Sequence, residues 1–422
     1  MEASSVSYGA VVSPFLPDAE KLAAVREALP ATAAGIYLNA GSMGPIPRET
    51  ARAMADVADY ELTVGRAAPD YIEDGPERMA EARAAVAAIL SSAVGTVALT
   101  HSTTDGMNIA AAGLDWRPGD RAVTTNAEHW GGFAPLVALQ DRHGVELDLV
   151  DVGDGGDGDA IVAAFDRAID SRTRLVALSH VLWTTGAVMP VRAIAEIAHA
   201  RGALVLVDGA QAVGAIPVEV EGLAVDAYAL PSQKWLLGPE GMGALWVDPS
   251  AIERIRPTFA GYWSFDAPPR QPPYRLFEDA RRLESGAWHR PSVVGFARSC
   301  GWLAMYVGLG WVHERANRLA RRTADALAAI PGVELVTPRQ AMASLVTIRL
   351  PGWPGTAVLD ELGRRSFVIA RSIPGTEWVR FSVGFYNSEA ELDRLGETVE
   401  LLARHTPASL PSRPALTILG EG

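Results

Sequence analysis

The chain reads as an α/β protein: a large domain built on a mostly parallel sheet between helices, followed by a smaller C-terminal α+β domain. Three observations predict this. From about residue 96, short apolar runs (TVALT, RAVTT, ELDLVDV, RLVALSHV, ALVLVDG, AYAL, GALWV) alternate with helical stretches. Near-continuous apolar strands of this kind are buried on both faces, as in a parallel sheet covered by helices. After about residue 290 the pattern changes to two long helical stretches, short strands and a last helix. A length of 422 residues also exceeds one ordinary core, so two packed domains are expected.

A short helical pattern covers 19–29 and stops at Pro30; IYLNAGSMGPIP follows as a strand-like start and a Gly/Pro-rich loop. Ile161, Phe165 and Ile169 recur every four residues in a helix over 159–169, and Val191–Ala200 forms another that Gly202 ends. Helices are expected over 292–309 and 311–329, then strands in SLVTIRL, FVIAR and WVRFSVG. The last helix opens on the capping box Ser388-Glu389-Ala390-Glu391, whose Ser and Glu side chains reciprocally satisfy free amides. The expected division is an N-terminal helical segment, 1–35, packing on the small domain; a large domain, 36–290; a small domain, 291–405; and a loose Pro/Ser-rich tail, 406–422.

Hydrophobic residues at 49% and charged residues at 21% match a globular enzyme. The net charge of −13 argues against nucleic acid or an anionic membrane as partner, so any bound phosphate needs local donors. Cys300 is the only cysteine, which excludes an intrachain disulfide; its run GFARSCGWLAMYV reads as the setting of a buried thiol. No apolar stretch approaches the ~18 residues that span a membrane, and the N-terminus lacks a charged start followed by an apolar core, so a cytoplasmic protein is expected. The run GDGGDGD at 153–159 resembles a calcium-binding repeat, but in a single copy it reads as a turn, and no metal site is expected.

The chemistry centres on Asp208 and Lys234. Asp208 ends the apolar strand LVLVD, and Lys234 is wedged between Pro-Ser-Gln and Trp-Leu-Leu. A lysine in an apolar setting can form a Schiff base, and a strand-end carboxylate can keep a pyridine nitrogen protonated, the two requirements of a pyridoxal phosphate site. Ligands of a parallel sheet collect outside the carboxyl ends of its strands. There TVALT is followed by His101-Ser102-Thr103-Thr104, hydroxyls at a helix start that suit a phosphate and serve equally as simple N-caps. RAVTT is followed by Glu128-His129-Trp130, where His129 either lies flat on a planar ring or is a packed histidine. RLVALS is followed by His180, and Gln211, one turn past Asp208, can reach a phenolic oxygen of the cofactor.

These pieces, with YLNAGSMGP, Ser-Thr-Thr-Asp-Gly-Met-Asn, Asp-Gly-Ala-Gln and Ser-Gln-Lys-Trp, resemble the class V aminotransferase branch of fold type I pyridoxal phosphate enzymes over about residues 36–405. The branch includes cysteine desulfurases, cysteine/cystine lyases and isopenicillin N epimerase. The resemblance implies Lys234 as the Schiff-base lysine, Asp208 as the pyridinium partner, His129 as the ring-stacking residue and Gln211 at the phenolic oxygen. It places Thr103, Thr104, Ser232 and Gln233 around the phosphate, with Gln233 where many relatives carry His. It implies Arg380 as the substrate-carboxylate anchor, a role the guanidinium fork suits, with Arg371 as a second contact. His180 is expected at the substrate. A homodimer is implied too, the neighbouring subunit completing the phosphate site from a Gly-Thr segment; the matching stretch is Glu284–Arg290 in sequence terms ESGAWHR, with Ala287 in place of threonine.

Desulfurases carry a nucleophilic cysteine between the strands of these arginines, whereas SIPGTE at 372–377 has none. A persulfide-carrying enzyme is therefore not expected. The expectation is a carbon–sulfur lyase that eliminates from cysteine, cystine or an S-substituted cysteine, with an epimerase of the isopenicillin N type, an aminotransferase and a non-catalytic binding protein as alternatives. Met43, Trp130, Trp183, Tyr262, Trp263 and Trp288 either line a side-chain pocket or are ordinary core aromatics.

Overall fold

Seven strands form the central sheet of the computed structural model, which describes residues 12–267 and 272–412. The end of the expected tail, 413–422, lies outside the described residues, as does 1–11. In chain order the elements are α1 (Asp18–Ala28), β1 (Ile36–Tyr37), α2 (Arg48–Thr63), α3 (Pro69–Leu90), β2 (Val97–Thr100), α4 (Thr103–Ala112), β3 (Arg121–Thr125) and α5 (Trp130–His143). There follow β4 (Glu146–Val150), α6 (Gly158–Ala168), β5 (Thr173–Ser179), α7 (Val191–Ala200), β6 (Leu204–Asp208), β7 (Ala227–Pro231) and β8 (Gly243–Val247). The C-terminal third holds α8 (Arg290–Gly301), α9 (Leu309–Ala328), β9 (Glu334–Leu335), β10 (Leu345–Arg349), α10 (Gly355–Ser366), β11 (Val368–Ile369), β12 (Arg371–Ser372), β13 (Trp378–Ser382) and α11 (Glu389–Ala403).

The sheet order is β2-β8-β7-β6-β5-β3-β4. Every neighbouring pair is parallel except those of β8, which runs antiparallel to both β2 and β7. The apolar runs have a simple cause: alternate residues enter different cores. Leu204 and Leu206, with Ala229 and Leu245, pack against Met107, Leu136 and Leu139 of α4 and α5. Val205 and Val207, with Tyr228 and Trp246, face the opposite layer, which includes Phe165, Ile194 and Phe296. A covered sheet puts loops, and with them polar chemistry, at its strand ends.

In the C-terminal third, β12-β13-β10-β9 form an antiparallel sheet. β1 pairs in parallel with β11, and Ile36 and Leu38 lie in one core with Leu319, Phe381 and Leu395. The stretch expected to open the large domain thus begins within the packing of the C-terminal unit, before the chain crosses to the larger sheet. α1 is fastened to the same unit: Arg26 pairs with Glu391 at 2.8 Å, and Asp18 accepts from Trp311 Nε1 at 2.6 Å.

Two expectations differ in detail. The helix expected over 292–309 is α8 followed by a π-helical turn, Trp302–Val307, closed by an i→i+5 bond from Gly308 N to Leu303 O at 2.9 Å. Gly308 ends it at φ 89, open to a residue without Cβ, and α9 then starts in a new direction. FVIAR is two strands, because β11 turns to β1 while β12 pairs with β13.

Behind the sheet, Arg83 of α3 holds both oxygens of Glu284 at 3.0 Å, and Glu284 also accepts from Leu99 N at 2.9 Å. Both side chains are buried. Removing one partner of such a pair strands the other charge, so Arg83→Met is expected to lower unfolding stability by about 3–5 kcal/mol. Urea unfolding measures it, and a loss of less than about 1 kcal/mol would show that Glu284 needs no counter-ion.

Candidate active site

The ends of β2, β3, β5, β6 and β7 bring the polar residues together. Asp208 closes the central strand β6 and is buried. Its Oδ1 accepts from Ala210 N at 2.9 Å, and its Oδ2 faces Gly132, where a methyl group would stand 3.2 Å away. Among the described residues no cation pairs with it at ion-pair distance. Burial raises its pKa, and the Lys234 charge works against that rise. A cationic ring nitrogen would relieve the same cost.

Lys234 lies in the connection that reverses β7 into β8. Its carbonyl accepts from Leu237 N at 3.1 Å, with Leu237 at φ 58, and Gly44 presses so closely on that carbonyl that a side chain there would collide with it. The backbone under the lysine is thus pinned, while its amine has no hydrogen-bond or ion-pair partner among the described residues. Burial lowers the amine pKa to about 8; Asp208 opposes the shift, and Arg380 and Arg371 add to it. A lysine in this state is a usable nucleophile and base near neutral pH.

His129 caps α5, its Nδ1 accepting from Gly131 N at 3.1 Å. That bond assigns the proton to Nε2. Burial, with the Lys234, Arg371 and Arg380 charges behind it, lowers its pKa to about 4, so the ring is a neutral plane. Trp183 meets it edge-on, with centroids 5.1 Å apart.

At the start of α4 the capping alternative is realised by Ser102, whose Oγ accepts from Asp105 N at 3.0 Å. That leaves the Thr103 Oγ1 buried without a partner, and Thr104 turned towards Gly131. Gln233 Oε1 and Ser232 Oγ are likewise buried and unpartnered, the serine hydroxyl lying against Gly238. Gln211 is held at both ends: its Nε2 donates to Gly41 O at 2.8 Å and its Oε1 accepts from Trp235 Nε1 at 2.9 Å. One amide hydrogen is left over for a ligand.

The substrate side is built on the antiparallel register that sets Arg371 opposite Arg380. Arg380 is buried; its Nη1 donates to Trp183 O at 2.6 Å and its Nε has no partner. Arg371 lies over the Trp183 ring at 5.8 Å. Both guanidinium groups reach Ser42 Oγ at 3.3 Å, and neither has a carboxylate partner among the described residues. Burial, then the neighbouring Arg371, lowers the Arg380 pKa to about 9. Two such cations without an anion form a carboxylate receptor. His180 is buried, with Nδ1 2.9 Å from Tyr228 OH and its backbone N–H bonded to Asp208 O; burial lowers its pKa to about 4.

Lys234, Asp208, His129, His180, Gln211, Arg371 and Arg380 therefore share one site. Of the aromatic residues, Trp183 belongs to it, Trp288 stacks on His101, and Tyr262 and Trp263 pack on each other. Sequence reasoning gave no role to Ser42, Glu128 or Tyr228. A hydroxyl in the Gly/Pro-rich loop was the available signal for Ser42. A further signal lay in the basic residues: of 37, only Lys21 and Lys234 are lysines.

A neutral aromatic plane, a buried acid without a cation, an unpartnered lysine and orphan hydroxyls at a helix start fit pyridoxal 5'-phosphate. Fold and site together define a fold type I pyridoxal phosphate enzyme. The Aminotransferase class-V profile matches residues 36–395, and the chain belongs to that family. It is 28% identical over 395 residues to a probable cysteine desulfurase of Methanothermobacter thermautotrophicus, covering 90% of this chain and 97% of the relative. It is 30% identical over 385 residues to isopenicillin N epimerase of Streptomyces clavuligerus, covering 87% and 94%. Among solved structures it is similar to the cystine C–S lyase C-DES in complex with its reaction product cysteine persulfide, with a TM-score of 0.83 and 26% identity over 90% of this chain and all of the other. The chain is accordingly a pyridoxal phosphate-dependent enzyme of the lyase type.

Proposed function

We propose that the enzyme eliminates the sulfur substituent from cystine, cysteine or an S-substituted cysteine, and that it works as a homodimer. The observation that carries the reading is a complete lysine–aspartate–arginine set in a chain with no thiol to receive sulfur. Cys300 is buried in α8, and burial pushes its thiol up to about 12. The turn between β12 and β13 has no cysteine. Bound pyridoxal phosphate supplies an electron sink for the charge left at Cα. Arg380 would hold the α-carboxylate, and the Lys234 amine, which has no partner among the described residues, would take the Cα proton. The Cβ–S bond then breaks, releasing a thiol or persulfide, and water converts the aminoacrylate product to pyruvate and ammonia. Arg371 supports cystine in particular, because that substrate brings a second carboxylate. Pairing of subunits is supported by exposed apolar residues on and between α2 and α3: Leu62, Val64 and Ile72.

Incubation with cystine, cysteine and S-substituted cysteines, following pyruvate, ammonia, sulfide and Cα proton exchange together, tests the reading. Pyruvate in step with substrate loss is expected. Racemised substrate carrying solvent deuterium, without pyruvate, would replace elimination by epimerisation. Cys300→Ala is expected to leave turnover within about twofold, since the thiol touches nothing reactive. A loss of sulfur release in that variant would restore a persulfide mechanism.

A further inference from the structure

The carboxyl of Glu128 has no part in the chemistry above, although it sits beside His129 and beneath the strand ends. Its Oε1 accepts from Thr125 Oγ1 at 2.6 Å and from Ser179 N at 3.1 Å, while Oε2 accepts from Ser179 Oγ at 2.6 Å. Thr125 ends β3 and Ser179 ends β5, two adjacent parallel strands. Ser179 is in turn the register partner of Asp208 on β6. Thr125 Oγ1 also accepts from Ala127 N at 3.2 Å, which tightens the turn leading to the histidine. A surface loop needs no such three-donor clasp, and desolvating a carboxyl is costly unless the bonds fix something.

We propose that Glu128 is the positioning residue for His129: by clasping the ends of β3 and β5 it sets the height and tilt of the imidazole over the plane that a pyridoxal ring anchored at Lys234 and Asp208 must occupy. The inference rests on the cofactor site and not on the reaction. Burial raises the Glu128 pKa to about 7, the Ser179 and Thr125 bonds oppose this, and Asp208 on β6 is the charged group that adds to it. The other groups facing it, Thr125 and Ser179, are neutral donors, and His129 on its own segment is neutral as well. Glutamine can keep the two bonds at Oε1 and must turn a donor towards the Ser179 hydroxyl; alanine loses all three. The substitutions therefore form a graded series.

The test is pyridoxal phosphate affinity by absorbance titration, with visible circular dichroism of the bound ring as the measure of its orientation. Glu128→Ala is expected to weaken affinity roughly tenfold and to change the dichroic band, with Glu128→Gln in between; in a His129→Ala background the same change should add less than about twofold. If the Glu128→Ala and His129→Ala effects multiply, or if Glu128→Ala keeps wild-type affinity and dichroism, the proposal is overturned. Should Glu128→Ala fail to fold, Ser179→Ala removes one hydroxyl of the clasp and is read the same way, with about a threefold change expected in the wild-type background and none beside His129→Ala. No amino-acid substrate enters these measurements, so their failure leaves the elimination reading intact, and failure of elimination leaves them standing.

Discussion

Lys234→Ala is expected to abolish turnover, lowering kcat by at least about 10³-fold, because one change removes both the covalent anchor and the proton acceptor. The amine stands on a pinned backbone and has no competing partner, so no nearby group inherits its place. Borohydride treatment of the wild-type holoenzyme should fix a pyridoxyl group on a single peptide. Lys21, the other lysine, donates to Pro14 O at 2.9 Å and lies over the Trp311 ring on the far unit. Modification mapped to Lys21, or substrate consumption by Lys234→Ala at the wild-type rate, would refute the assignment. The pH dependence has a definite sign. The amine accepts a proton only when uncharged, and its pKa is lowered to about 8, so kcat should climb as pH rises through about 8 and not through the range of an ordinary lysine.

Arg380→Ala is the second large effect: kcat/KM should fall by roughly 10²- to 10³-fold, the scale of a lost bidentate, charge-assisted contact in a buried setting. Arg380→Lys should rescue little, since an ammonium cannot reach both carboxylate oxygens and also hold Trp183 O. Arg371→Ala separates the substrates. If Arg371 meets a distal carboxylate, the loss should be about tenfold larger for cystine than for cysteine, and equal losses would deny it that contact.

Much of this site was legible because its residues stand at strand ends, and strands buried on both faces announce themselves as apolar runs. RAVTT and GALWV coincide with β3 and β8, and Asp208 closes β6. Direction was not legible: β8 carries the same apolar signature as its neighbours, yet it runs antiparallel as the return limb of the hairpin that presents Lys234. The π-helical turn after Gly301 was hidden because an apolar run with helical spacing looks the same whether its bonds close at four residues or at five. Ser42 escaped notice because its place between two arginines depends on a β12–β13 register that brings residues over 300 positions away in sequence to one loop.

The paired glycines behind His129 bear on any attempt to redirect the enzyme. A methyl at Gly131 would strike the Thr104 hydroxyl, and one at Gly132 would crowd Asp208 Oδ2, whereas Trp130 just before them is 72% exposed. Random libraries that diversify 131 and 132 should return chiefly colourless, cofactor-free protein, however well those variants fold. Diversity placed at 130, where the indole stands in solvent and packs only edge-on against Phe133, should leave the yellow holoenzyme intact.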